Sequence, residues 1–289
     1  IIYGIPMVCA RRKRCEMMKK ERVDVLAVQQ GLFDNVDQAK RSVMAGLVLT
    51  EKHERLDKPG EKIPTTTQLE IKGKKIPYVS RGGLKLVKAM NVFGLDFKDK
   101  IVLDIGSSTG GFTDVALQHG AKLSYALDVG YNQLAWKIRQ DERVVVMERK
   151  NFRYSKPEDF LHGFPEMATI DVSFISLKLM LPPLHQILVD NGEVMALIKP
   201  QFEAQREAIG KNGIVRDPET HQAVIDMVVQ FALKERYDVE NLYFSPITGG
   251  EGNIEFIVHL RKSETVGHLN SAIEIEQVVA RAHETLGFR

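Results

Sequence analysis

Cysteine is almost missing from this 289-residue chain: Cys9 and Cys15 are the only two, both near the start. Two thiols with no histidine beside them make neither a zinc site nor a disulfide framework, and the cytoplasm is the expected compartment. Long apolar runs are missing too. None approaches the roughly eighteen residues of a membrane-spanning helix, so no stable membrane association is expected. Residues 1–10 are apolar, but the basic cluster Arg11-Arg12-Lys13-Arg14 follows them, the reverse of a signal peptide. The histidines are scattered without metal-ligand spacing, so no metal is expected. Internal repeats and low-complexity stretches are also absent. What remains is 44% hydrophobic and 27% charged, an ordinary globular composition that excludes disorder.

The net charge of +2 hides an asymmetry. Residues 1–80 carry 16 basic and 10 acidic side chains, the remainder 24 and 28. A basic N-terminal part on an acidic body fits a polyanion-binding appendage, although solvated surface lysines explain charge alone equally well. Residues 1–20 read as a basic leader without periodicity, with Met17 or Met18 as a candidate natural start.

A small unit follows at 21–72. Val23, Leu26 and Ala27 suggest a helix ending at Gly31. Asp34 or Asn35 can cap a second helix through Val36, Ala39, Val43 and Met44, stopped by Gly46. Strands are expected at 48–49, near Ile63 and at 69–71, with a charged turn between the first two. Residues 73–84 read as a linker, stiff and basic through Lys74-Lys75-Ile76-Pro77-Tyr78. Ser80-Arg81-Gly82-Gly83 then opens a helix containing Leu84, Leu86 and Met90.

Beyond residue 100 strands and helices alternate. Strands are expected at 101–105, 123–129, 144–147, 168–172, 194–198, 242–247 and 254–260. Helices are expected at 112–119, 133–139, 177–188 (broken by Pro182-Pro183), 218–234 and 272–286, the last covering a sheet edge. Such alternation means an α/β, doubly wound, Rossmann-like sheet over 85–289.

The strongest local signal is Asp104-Ile105-Gly106-Ser107-Ser108-Thr109-Gly110-Gly111-Phe112, between a strand and a helix. Its glycines let backbone approach a ligand, and the helix start offers free N–H groups. Asp128 ends the next strand, where a carboxylate can accept both ribose hydroxyls of a nucleoside. The spacing is not G-x-G-x-x-G, which counts against a nucleotide-dependent oxidoreductase. Asp104 just before the turn suits a cationic ligand such as the amino-acid end of S-adenosylmethionine. Tyr131 and Trp136 are candidates to border the adenine, with core packing equally fitting for Trp136. Asn151 or Arg149 can contact the nucleoside, and Val129 flanks it. Residues 205–216, with Arg206, Lys211 and Arg216, read as a mobile basic loop, for substrate contact or simply solvated.

Several blocks in order resemble the TlyA family, known as haemolysins and as ribosomal-RNA 2′-O-methyltransferases, with an FtsJ-like catalytic half. They are Tyr78-Val79-Ser80-Arg81-Gly82-Gly83-Leu84-Lys85-Leu86, the glycine turn, Asp128-Val129-Gly130-Tyr131, Glu148-Arg149-Lys150-Asn151, Asp171-Val172-Ser173-Phe174, Leu197-Ile198-Lys199-Pro200-Gln201-Phe202-Glu203 and Gly252-Asn253-Ile254-Glu255-Phe256. The resemblance implies a small α+β RNA-binding domain of the S4 type ahead of the S-adenosylmethionine-dependent catalytic domain. It also implies ribosomal RNA or ribosomal subunits as partner. By motif position it implies a catalytic tetrad of Lys85, Asp171, Lys199 and Glu255, with Asp171 also beside the cofactor. Singly, each has a bland reading: a solvated helix lysine, a turn cap, a loop cation, a paired strand carboxylate. RNA contacts are expected from Lys40, Arg41, Lys74, Lys75, Arg81, Arg206, Lys211 and Arg216. The family's other name implies a rival, a membrane-active haemolysin.

Overall fold

The structure, a computed structural model, describes residues 19–51, 54–72 and 76–287. Two compact units divide between residues 75 and 76.

In the first unit β1 (Lys20–Arg22) runs directly into α1 (Val23–Gln29), and α2 (Val36–Met44) follows. Four short strands complete it: β2 (Val48–Thr50), β3 (Arg55–Leu56), β4 (Lys62–Pro64) and β5 (Leu69–Ile71). β1 pairs with β4, and β2 lies between β3 and β5, all antiparallel. Asn35 caps α2 by accepting the Gln38 N–H at 2.9 Å. Gly31 ends α1 at φ +72°, where a side chain would be strained. Val23, Leu26 and Ala27 of α1 meet Ala39 and Val43 of α2 over Val48, Leu56 and Leu69. β1 takes in Lys20, a residue expected in the leader. Lys40 and Arg41 stand exposed on α2.

The second unit holds α3 (Gly83–Phe93), β6 (Ile101–Ile105), α4 (Gly111–Gln118), β7 (Leu123–Leu127), α5 (Trp136–Arg139), β8 (Val144–Met147) and β9 (Met167–Ile170). Then come α6 (Leu181–Ile187), β10 (Glu193–Ile198), α7 (Pro200–Glu203), α8 (Pro218–Lys234), β11 (Tyr237–Phe244), β12 (Phe256–Lys262) and α9 (Ile275–Leu286). Its seven strands lie in the order β11-β12-β10-β9-β6-β7-β8. The five from β10 to β8 are parallel; β12 alone runs against them, antiparallel to both its neighbours β10 and β11.

Alternate residues of each strand face opposite layers. Val102, Met195 and Leu197 pack under α3 and α4 with Leu86, Phe112 and Val115. Leu103, Ile105, Val194, Ala196 and Ile198 face α6, α8 and α9. Burial on both faces is why these strands read as continuous apolar runs.

Several boundaries moved. β7 stops at Leu127, freeing Asp128 and Val129 for the loop. α5 begins only at Trp136. The expected helix at 177–188 breaks at Met180, ahead of the prolines. A 3-10 turn, Leu177–Leu179, precedes it, and Pro182 and Pro183 occupy the first turn of α6, where no N–H is needed. β11 starts five residues earlier than expected, and β12 two later. α9 packs on α8 and on the edge strand β11.

Candidate active site

The chain order reverses between β6 and β9, so the carboxyl ends of these neighbours flank the crevice where α/β sheets bind ligands. The glycine turn fills one side. Gly106 holds φ +85°, and a Cβ there would come within 2.5 Å of the Asp171 carbonyl. Gly111 starts α4 against Ser80 and Gly83, again too close for a Cβ. Asp128 faces the turn, accepting the Ser108 N–H at 2.8 Å and the Gly130 N–H at 2.7 Å. It keeps lone pairs for a ligand, because a carboxylate has about four.

Two cavities open on either side of this turn. One, about 520 Å³, is bordered by Asp128, Val129, Gln133, Lys150, Asn151 and Phe152. The other, about 650 Å³, is lined by the turn from Gly106 to Thr109, Gly111 and Phe112, together with Arg81, Lys85, Lys199 and Glu255. Gly106, Ser108, Asp171, Ser173 and Phe174 border both.

Lys85, Asp171, Lys199 and Glu255 come together in one chain of ion pairs. Lys199 Nζ lies 2.5 Å from Asp171 Oδ1. Lys85 Nζ lies 3.4 Å from Asp171 Oδ2 and 2.7 Å from Glu255 Oε2. Four different elements deliver them: the first turn of α3, the end of β9, the N-cap of α7 and the approach to β12. Gly249 leaves room for the Glu255 carboxylate. Lys85 and Lys199 are each 7% exposed and Glu255 2%. Burial pushes the Lys85 ammonium toward losing its proton, but Asp171 and Glu255 outweigh it and raise its pKa. Burial likewise pushes Asp171 up, and Lys199 and then Lys85 hold it below the usual carboxylate range.

Asp104 lines the larger cavity from beneath the turn. It is 1% exposed, and its carboxylate accepts the Thr113 N–H at 3.0 Å and the Thr113 and Thr169 hydroxyls at 2.7 and 3.0 Å. Burial, opposed by these bonds, pushes it up to about 6. These bonds tie β6, β9 and α4 together under the turn.

Ser107 and Gly110 are buried and Thr109 exposed within the turn, while Phe112 packs in the core beneath it. Val129 is exposed at the smaller cavity, and Asn151 there caps a short turn by accepting the Arg153 N–H. Trp136 is 69% exposed, which removes the core reading, and Arg149 stacks on Tyr131.

Lys74 and Lys75 lie outside the described residues, as does the Lys211 side chain. Arg81 is exposed at the larger cavity; Arg206 and Arg216 are exposed on the 205–216 segment without lining it. The far end of that segment is tied to Asn253. The buried Asn253 side chain accepts the Val215 N–H and donates to Gly213 O, both at 3.0 Å, which brings Asn212 and Gly213 to the larger cavity.

Asn253, Ser173, Gln201, Phe174 and Phe202 also line the larger cavity, with no role expected of them from residue type. Lys199 Nζ donates to Ser173 Oγ at 3.3 Å. Phe174 is 90% exposed at φ +61°, with its ring 5.0 Å from that of Phe202. Each lies inside a quoted motif block, and that position was the available signal.

Residues 78–262 match the family model described as FtsJ-like methyltransferase. The chain belongs to this family, in its TlyA branch. It is 37% identical to the 16S/23S rRNA (cytidine-2'-O)-methyltransferase TlyA of Mycobacterium tuberculosis, covering 92% of this chain and 98% of that protein. Hemolysin A of Brachyspira hyodysenteriae is 40% identical over 82% of this chain and 98% of its own. A solved Streptococcus thermophilus structure, provisionally named a hemolysin, shares 59% identity and a TM-score of 0.75 over 93% of this chain and 97% of that one. FtsJ-like membership bears out the methyltransferase fold that the resemblance implied, and the sheet bears out the doubly wound α/β fold that the strand–helix alternation implied.

Proposed function

We propose that this chain transfers a methyl group from S-adenosylmethionine to a ribose 2′-hydroxyl of ribosomal RNA, in the cytoplasm. The observation that carries the reading is the ion-pair chain Lys199–Asp171–Lys85–Glu255, buried against the larger cavity beside a nucleoside-sized one. The relatives named as rRNA methyltransferases support the substrate class. S-adenosylmethionine supplies the methyl on a sulfonium, already a good electrophile. The glycine turn, Asp128 and Asn151 fit its nucleoside end, since Gly106, Ser108, Asp128 and Asn151 together border the smaller cavity.

The chain's own task is to orient the hydroxyl and take its proton. Lys85, once it has released its own proton to water, is placed to receive the hydroxyl's. A second cation in the cavity weakens the hold of Asp171 on Lys85 and favours the neutral amine. Phe174 and Phe202 offer an aromatic face to the unstacked base.

Methyl transfer from labelled cofactor to ribosomal subunits, with the product mapped to ribose, tests the proposal; no transfer to any subunit or rRNA sinks it. Nothing favours the haemolysin reading beyond the names of relatives. Among the described residues no helix is long and apolar enough to cross a membrane, and Val279 and Ala282 of α9 are already buried in the core.

Asp128→Ala is expected to weaken S-adenosylmethionine binding by about 1.5–3 kcal/mol, the range for hydrogen bonds to a charged group. Unchanged affinity by calorimetry would remove Asp128 from the ribose role. The first unit is, on this reading, an S4-type RNA clamp, with Lys40 and Arg41 on the exposed side of α2. Removing residues 1–75 should spare cofactor binding and abolish productive RNA binding. Neutralising Lys40 and Arg41 should flatten the salt dependence, because each phosphate contact releases counterions. A truncated protein that methylates rRNA at the normal rate would refute the clamp.

A further inference from the structure

Two elements meet at the larger cavity: the loop that follows β9 and the four-residue helix α7. The loop carries Asp171, Ser173 and Phe174; Lys199 caps α7 at one end and Glu203 closes it at the other. Glu203 lines neither cavity. Its carboxylate reaches across to the loop instead. Oε2 accepts the Ser176 hydroxyl at 2.6 Å, and Oε1 accepts the Leu177 N–H at 2.7 Å. Ser176 in turn caps the following 3-10 turn through the Lys178 N–H.

The loop needs such a tie. Its near end is held where the Asp171 N–H donates to Ile105 O at 3.0 Å. Between the ends Phe174 sits at φ +61°, a conformation unfavourable for a non-glycine residue that persists only where surroundings impose it. The same loop presents Asp171 and Ser173 to Lys199, at 2.5 and 3.3 Å. Errors of about 1 Å in such pairings can cost about 100-fold in rate.

We propose that Glu203 is a positioning residue, which fixes the 171–177 loop to α7 and thereby sets Asp171 and Phe174 against Lys199. The inference rests on the methyltransferase reading above for the reaction it serves. Glutamine can replace this glutamate. Its amide oxygen can accept the Leu177 N–H while its NH₂ donates to the Ser176 oxygen.

The test uses the full chain with Glu203→Ala and Glu203→Gln. It follows single-turnover methylation of ribosomal subunits, S-adenosylmethionine affinity, and hydrogen exchange of amides 172–178. In Glu203→Ala those amides should exchange at least about tenfold faster, as local opening of the loop requires. The methylation rate should fall about 10- to 100-fold, with cofactor affinity within about threefold. Glu203→Gln should restore both exchange and rate. A normal single-turnover rate in Glu203→Ala, even in a protein that melts earlier, would reduce Glu203 to a structural residue. Unchanged exchange would remove the clamp itself. If wild-type protein methylates no rRNA, the proposed function falls, while the exchange data still decide whether Glu203 holds the loop.

Discussion

Lys85→Ala is expected to slow the methyl-transfer step by about 10²- to 10⁴-fold, the typical worth of a positioned acid or base. Single-turnover methylation with pre-bound RNA isolates that step from binding. Both ligands should bind normally, because truncation removes one ammonium and leaves the glycine turn and Asp128 untouched. The structure sharpens what Lys85 must do. It lies 2.7 Å from Glu255 and 3.4 Å from Asp171, and these anions raise its pKa and favour the charged form. To accept a proton it must first shed one, which a sulfonium sharing the cavity makes easier.

Lys85→Arg should therefore not rescue activity, since a guanidinium stays protonated and needs more room than this buried site offers. Lys199→Ala should also be slow. The double variant should lose less than the product of the single losses, because residues acting as a unit are non-additive. Near-normal single turnover in Lys85→Ala would make Lys85 a structural helix lysine, and the tetrad would fail at its first member.

The parallel core of the sheet could be read from the sequence because β6, β9 and β10 are buried on both faces. Glycines at positive φ also punctuate the chain where helices begin or end. β1 escaped notice because its residues are all charged and it exists only through pairing with β4 far along the chain, and β3 because the pair Arg55–Leu56 is too short to show alternation. The early part of β11 escaped because Asp238 and Glu240 alternate with Tyr237 and Val239, while the reading took only the apolar end. Trp136 could not be placed from its type, since an aromatic suits a core and a ligand rim equally.

The four site residues came from motif position. That two of them share Asp171 is a fact of folding, visible only once residues up to 170 positions apart meet. Burial considered alone pointed to a neutral Lys85. The opposite direction follows from two carboxylates whose distances no spacing in the sequence encodes.

Asp171→Asn is expected to be the most damaging substitution for stability. The asparagine is isosteric but neutral, so Lys199 loses its carboxylate and Lys85 keeps only Glu255. Removing one partner from a buried ion pair costs about 3–5 kcal/mol, because the remaining charge stays desolvated. With its side chain 21% exposed, Asp171 belongs toward the lower end.

The pH dependence distinguishes this cause from simple misfolding. Wild-type Asp171 is held below its ordinary value, so its contribution is present above about pH 3.9 and fades as pH falls through the lower folded value. In the variant Lys85 loses the stronger of the two anions that raise it, so burial pulls its folded pKa down from the wild-type level. The folded variant then holds fewer protons than folded wild type at alkaline pH, and its stability deficit shrinks as pH rises. The gap in melting temperature from wild type should accordingly be wide near neutral pH and narrow toward about pH 10. A variant that melts with wild type at neutral pH would show that Asp171 carries neither lysine energetically. A gap that stays constant up to about pH 10 would place its cause outside the ion-pair chain.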